Sequence, residues 1–120
     1  MTQQVFSEGE VKFGGYQKLF WNWSGDNSRV PTKRVLEIAT VTLNYFPEGS
    51  GSLGRADIVG RDSSNNAVWR LQVVYVEANK TSHLTFPKGL QLNAGGYVEV
   101  GFVYDGPGKI FVSVNGALLR

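Results

Sequence analysis

Nowhere in this 120-residue sequence does an apolar repeat of helical period run for ten residues or more. Apolar positions alternate with polar ones, or form short β-branched runs cut at near-regular intervals by Gly, Asn and Asp. Such a chain can bury its side chains only by turning one face of each extended segment toward a shared interior. The pattern predicts an all-β protein, an antiparallel β-sandwich of jelly-roll type with about nine or ten short strands. No internal repeat is visible, which argues against a propeller or a trefoil. A chain of 120 residues fits a single β-sandwich domain over residues 1–120, large enough to bury a core without disulfides or a structural metal. Hydrophobic residues at 42% and charged residues at 18% exclude disorder.

Along the chain, Val5 and Phe6 suggest a first strand, and residues 10–13 a second with Val11 and Phe13 on one face. After Gly14 and Gly15, residues 16–23 read Y-Q-K-L-F-W-N-W as a strand aromatic on both faces. Gln17, Leu19, Trp21 and Trp23 share one parity; Tyr16, Lys18, Phe20 and Asn22 share the other. The cluster S-G-D-N-S at 24–28 is a turn, and Pro31 does not suit a central ladder position.

Residues 33–46 form the longest β-type run, but its parity changes. Leu36 and Ile38 lie on one parity, and Val41, Leu43 and Tyr45 on the other. Either a bulge or bend near Ala39 and Thr40 re-aims the strand, as where strands pass from one sheet to another, or both faces are covered. The segment P-E-G-S-G-S-L-G at 47–54 reads as a surface loop. Residues 55–61 form a short strand, and D-S-S-N-N at 62–66 a hairpin tip. Ala67, Trp69, Leu71, Val73 and Tyr75 then give the cleanest alternation, that of a central strand with Trp69 in the core. Residues 83–86 form a short strand stopped by Pro87, Lys88 and Gly89; Leu90 and Leu92 pack inward before a turn at 93–96. Strands at 97–104 and 109–115, joined by D-G-P-G, read as an antiparallel hairpin. Asn115 and Gly116 signal another turn, leaving residues 117–119 as a stub.

Most catalytic chemistries lack their residues. With no cysteine, disulfides, thiolate catalysis and Cys-based metal sites are closed. His83 is the one histidine, too few for a cupin-type metal site, and no nucleophile motif accompanies it. Glu37, Glu77 and Glu99 are candidate paired carboxylates, but short loops offer little cleft for glycoside hydrolysis. Asp26, Asp62 and Asp105 sit in turns without a spaced calcium motif. The expectation is a protein that is not an enzyme and has neither metal nor cofactor. Twelve Lys and Arg against ten Asp and Glu are scattered along the chain, which disfavours nucleic-acid binding. No apolar run reaches the roughly 20 residues of a membrane helix, so no membrane insertion is expected.

The end of the chain, F-P-K-G-L-Q-L-N-A-G-G-Y-V-E-V-G-F followed by I-F-V-S-V-N-G-A-L-L, resembles the last strands of galectins over about a third of the sequence. The galectin sugar-binding signature is not found: Trp69 is followed by Arg70, and His83 comes after it. No galectin site residue is therefore carried over.

What remains is the aromatic excess at 16–23, which holds two of the three tryptophans. Trp and Tyr on a rigid sheet stack on sugar rings while neighbouring amides and carboxylates bind hydroxyls. This points first to a non-catalytic, glycan-binding module with Tyr16, Gln17, Trp21, Asn22, Trp23 and Asp26 as ligand-binding residues. The alternative is a structural or assembly protein, such as a viral, phage or surface-fibre subunit, forming a homo-oligomer through β edges and aromatic faces. Exposure of Trp21 and Trp23 separates the two readings.

Overall fold

The computed structural model describes residues 2–12, 14–47, 53–77, 79–104 and 108–119. Its eight strands are β1 (Gln3–Lys12), β2 (Tyr16–Lys18), β3 (Val35–Pro47), β4 (Leu53–Arg61), β5 (Ala67–Glu77), β6 (Thr81–Asn93), β7 (Tyr97–Tyr104) and β8 (Gly108–Leu119). They form two four-stranded antiparallel sheets, ordered β1-β8-β3-β6 and β2-β7-β4-β5. Of the consecutive strands, β4 and β5 alone are neighbours in one sheet; every other connection passes between the sheets. This is the jelly roll, in which crossing connections tie the two layers together.

The parity change in β3 is resolved by a bulge. The registers of β3 with both β6 and β8 shift between Ile38 and Thr40, leaving Ala39 as the extra residue. Leu36 and Ile38 before it, and Val41, Leu43 and Tyr45 after it, are all buried on the core side. The strand stays within one sheet throughout. Gly116 on β8 lies opposite Ile38, and a Cβ there would overlap the Glu37 carbonyl oxygen. The Asn115-Gly116 pair is thus no turn but a mid-strand position, glycine because β3 crowds it at the bulge.

Several expectations are corrected. Residues 3–12 are one strand, not two. Residues 81–93 also run as one, because β6 is an edge strand and tolerates Pro87, with Gly89 at φ 71° in the irregular stretch opposite the β3 bulge. Strand β5 is not central but at the edge of its sheet, and Trp69 is half-buried: its ring packs over Gly60, and its Nε1 donates to the Gln91 carbonyl of β6 at 3.1 Å. The closing hairpin does not exist, since β7 and β8 belong to different sheets. Val98, Val100 and Phe102 meet the core from one sheet, and Ile110, Val112 and Val114 from the other. A short glycine-rich connection suits either arrangement, and two strands with one apolar face each gain more by facing across a sandwich than by lying side by side. The loop expected over 47–54 falls mostly outside the described residues.

Between the sheets, Tyr45 and Phe102 meet edge to face, with ring centroids 5.1 Å apart. Strand β2 ends at Lys18, and residues 19–34 run as a long loop. Leu19, Trp21, Trp23 and Val30 from this loop complete the core.

The bulge and its facing glycine make a sharp stability prediction. Gly116→Ala should lower the unfolding free energy by about 2 kcal/mol or more, because the clash is with backbone. Gly9→Ala, at a position with open space around the added Cβ, should be close to neutral. Urea unfolding of both variants measures the contrast.

Candidate functional site

The loop at 19–34 is pinned at both ends to the start of β7. Leu19 N–H donates to the Val98 carbonyl, Val30 N–H to the Gly96 carbonyl and Gly95 N–H back to Val30. Within it, Trp21 N–H donates to the Asn27 carbonyl, and the Asn27 amide returns a bond to the Trp21 carbonyl. The backbone polar groups of a non-strand segment are thereby satisfied locally, which lets its apolar side chains enter the interior.

Those side chains keep the alternation read from the sequence even though the strand has ended. Leu19, Trp21 and Trp23 are buried, and Phe20 and Asn22 are exposed. The two indoles lie stacked, 5.3 Å between centroids and 3° from parallel, with Trp23 Nε1 donating to the Asp26 carbonyl at 3.1 Å. At 3% and 7% exposure they offer no face to a sugar ring, so the stacking surface expected of them is absent.

The remaining four candidates do not gather around them. Asn22 turns to the edge of the first sheet, where its side-chain oxygen accepts from Phe6 N–H at 2.8 Å and its own N–H donates to the Phe6 carbonyl. It therefore acts as a cap on edge strand β1. Gln17 reaches to β1 as well, donating to the Glu10 carbonyl. Asp26 accepts from the Ser28 backbone and hydroxyl, and these bonds hold its carboxyl below the usual carboxylate range. It lines a pocket of about 330 Å³ with Ser24, Arg29, Val30, Pro31, Thr32 and Gly95.

Tyr16 belongs to a third place, the outer face of the β2-β7-β4-β5 sheet. Its half-exposed ring lies across Gly101, where a Cβ would stand 2.8 Å from Cε2, and its hydroxyl donates to Asp57 Oδ2 at 2.7 Å. Asp57 is 8% exposed, and its Oδ1 has no hydrogen-bond partner among the described residues. Nearby, Arg61 pairs with Glu99, and the Tyr97 ring carries Lys18 Nζ at 4.6 Å and Arg29 Cζ at 4.7 Å. Sequence reading missed this cluster. Its one signal was Gly101, a glycine at an outward position of the alternating V-E-V-G-F.

The middle of the outer face of the β1-β8-β3-β6 sheet has the opposite character, with Glu8, Glu10, Lys12, Lys109 and Glu37 at its margins. Register aligns Asn115, Thr40 and Thr85 across β8, β3 and β6, then Ser113, Thr42 and His83, then Phe111, Asn44 and Thr81. Their strand neighbours Val114, Val41, Val112 and Leu43 are buried, so these nine face outward. None is Asp, Glu, Lys or Arg. Cross-strand bonds link them: Thr42 Oγ1 and His83 Nδ1 are 2.7 Å apart, and Thr81 Oγ1 donates to Asn44 Oδ1 at 2.6 Å. His83 is thus an outward strand residue. Among the described residues no three of His, Cys, Asp and Glu gather as a metal-binding group, and no helix is long and apolar enough to cross a membrane.

No model of a known protein family matches the sequence, and no curated protein sequence matches it significantly. Solved structures do share its fold. A chain in the acid-stable capsid structure of Helicobacter pylori bacteriophage KHP30 aligns over 100% of this chain and 94% of its own length, at TM-score 0.56 and 15% identity. A chain of infectious bursal disease virus, Gx strain, aligns over 98% of this chain but only 31% of the viral one, at TM-score 0.46 and 12% identity. The xylan-binding domain CBM22-1 of Paenibacillus barcinonensis Xyn10C aligns at TM-score 0.29 and 14% identity, over 93% and 86% of the two chains. Of these three, the phage chain alone exceeds 0.5, and at its identity the likeness concerns the fold.

Two measurements follow from the placement of the aromatics. Trp21→Ala should cost about 3–5 kcal/mol of unfolding free energy, the range for emptying a buried aromatic site, whereas a surface-stacking tryptophan would cost far less. At Tyr16, the hydrogen bond to Asp57, then burial and the Asp57 charge, raise the phenol above its ordinary value, with Arg70 opposing. Because the folded-state value is raised, the stabilisation is fully present below the unfolded phenol's pKa of about 10 and is lost as pH rises through the folded value. Ultraviolet titration of wild type against Tyr16→Phe should show one tyrosine ionising late; coincident curves would contradict the assignment.

Proposed function

We propose that this chain is a structural subunit of a virus- or phage-type protein shell, acting through assembly and not through catalysis. The observation that carries this reading is the match to the phage capsid chain. It spans all of this sequence and nearly all of the phage chain, so one whole jelly roll is matched to another. The viral chain, by contrast, contains such a unit within a longer polypeptide. A single domain over residues 1–120 accords with that correspondence.

The side chains support the same reading. Trp21 and Trp23, which would form a sugar platform, are spent on the core, and Gln17 and Asn22 on tying β2 and the following loop to β1. Glu99 is occupied by Arg61, and Glu37 by Gln91. What the chain offers outward is two broad sheet faces, the kind of surface through which subunits meet.

Glycan recognition is a second reading, favoured by the pocket beside Asp26. Ser24, Asp26, Arg29 and Thr32 there supply hydroxyl, carboxylate and guanidinium groups around about 330 Å³. It requires wild-type binding on a glycan array that Arg29→Ala abolishes; a blank array removes it.

The assembly reading is tested by sedimentation velocity and electron microscopy of the purified chain. A defined oligomer or regular particles are expected. A strict monomer up to roughly millimolar concentration, where even weak specific contacts populate complexes, would overturn it.

A further inference from the structure

We propose that the outer face of the β1-β8-β3-β6 sheet, through its uncharged middle, is the docking surface for a second copy of this chain, packed sheet against sheet; this rests on the assembly reading above. The first argument is charge. A two-fold contact is isologous, so a surface carrying fixed charges must place them against a copy of the same surface. The outer side of the other sheet and its rim hold Lys18, Asp57, Arg61, Arg70 and Glu99. The middle of the first sheet, centred on Thr40, Thr42 and Asn44, holds no fixed charge; the charges of that face, Glu8, Glu10 and Lys12 on β1, Lys109 on β8 and Glu37 on β3, lie around it, with Lys109 paired to Glu10 at 2.9 Å. Two copies can meet there without like charges opposing.

Composition and order point the same way. Interface centres are poor in charge and rich in aromatics. Here Phe6, 46% exposed, continues the row of Asn115 onto β1, and Phe46, 45% exposed, is the next outward residue of β3 beyond Asn44. The bonds Thr42 to His83 and Thr81 to Asn44 already hold the hydroxyl side chains against the sheet, which lowers the entropy lost on docking.

Size is sufficient. Strands about twelve residues long, at roughly 3.3 Å per residue and 4.8 Å between strands, give a four-stranded face of roughly 750 Å², an uncharged centre with its charged rim included. A standard interface uses about 800 Å² per partner.

The edge charges choose the orientation. Glu8 on β1 shares a transverse row with Ser113, Thr42 and His83. A two-fold axis running along the strands keeps each row at its own level and reverses its order. Glu8 then stands over His83 of the partner subunit, and Thr42 over Ser113 of the partner subunit. An axis across the strands would instead set the Glu8 side chains of the two edge strands against each other, which the first arrangement avoids.

Sedimentation velocity of Thr42→Arg and, separately, Thr85→Arg tests the surface, with Gln72→Arg on the charged outer face as control. Each of the first two should raise the association midpoint by about tenfold or more, and the control should leave it near wild type. Thr85 is exposed on an edge strand, so its variant keeps the fold, and near-ultraviolet circular dichroism verifies this for each protein. If wild type associates and both threonine variants associate as tightly, this face is the wrong one while the assembly reading stands. If wild type never associates, both fail.

Discussion

Leu36 and Ile38 lie on one parity of β3, Val41, Leu43 and Tyr45 on the other, and all five are buried in the same interior. One extra residue, Ala39, reconciles them, and one glycine on the neighbouring strand, Gly116, leaves room for it. Without the bulge, a two-residue period would turn either the first pair or the last three to the outer face. The rest of the sandwich depends on this. Strand β3 is the inner strand that pairs with both β8 and β6, so its register sets which residues of all three point outward.

The same alternation creates the two outer surfaces. With valine, leucine and isoleucine committed inward, the middle outward positions of β3, β6 and β8 are left to Thr, Asn, Ser, His and Phe111, partly bonded side to side. On the other sheet the outward positions carry Asp57, Glu99, Arg61 and Tyr16 in a charged network, including a buried carboxylate oxygen with no hydrogen-bond partner among the described residues. The two sheets thus present outer faces whose middles differ in charge, and a subunit that assembles through the uncharged one keeps the other wet.

Much of this was legible in the sequence. Period-two patterning fixes β strands and inward residues, the parity change located the bulge, and the D-S-S-N-N tip at 62–66 is the β4-β5 turn, with Asp62 Oδ1 accepting from Ser64 and Asn66. Pairing was less legible, because a strand's own residues do not say which neighbour it takes. Hence β7 and β8 read as a hairpin though they lie in opposite layers, and β5 read as central though it is an edge. The exposure expected of two tryptophans failed for a related reason. Trp21 and Trp23 follow strand parity, but the loop carrying them folds inward, so alternation fixed their common direction without saying that the direction was the core. Gly101 and Asp57 form a cluster with Tyr16 only through pairing between strands far apart in sequence.

Association centred on the uncharged middle of one sheet differs in its salt dependence from association through the charged sheet. Sedimentation equilibrium from about 0.05 M to about 0.5 M salt, which shortens the screening length several-fold, separates the two outer faces directly. The account predicts self-association whose dissociation constant is nearly unchanged across that range. A constant that rises steeply with salt would place the contact on the charged sheet and contradict it.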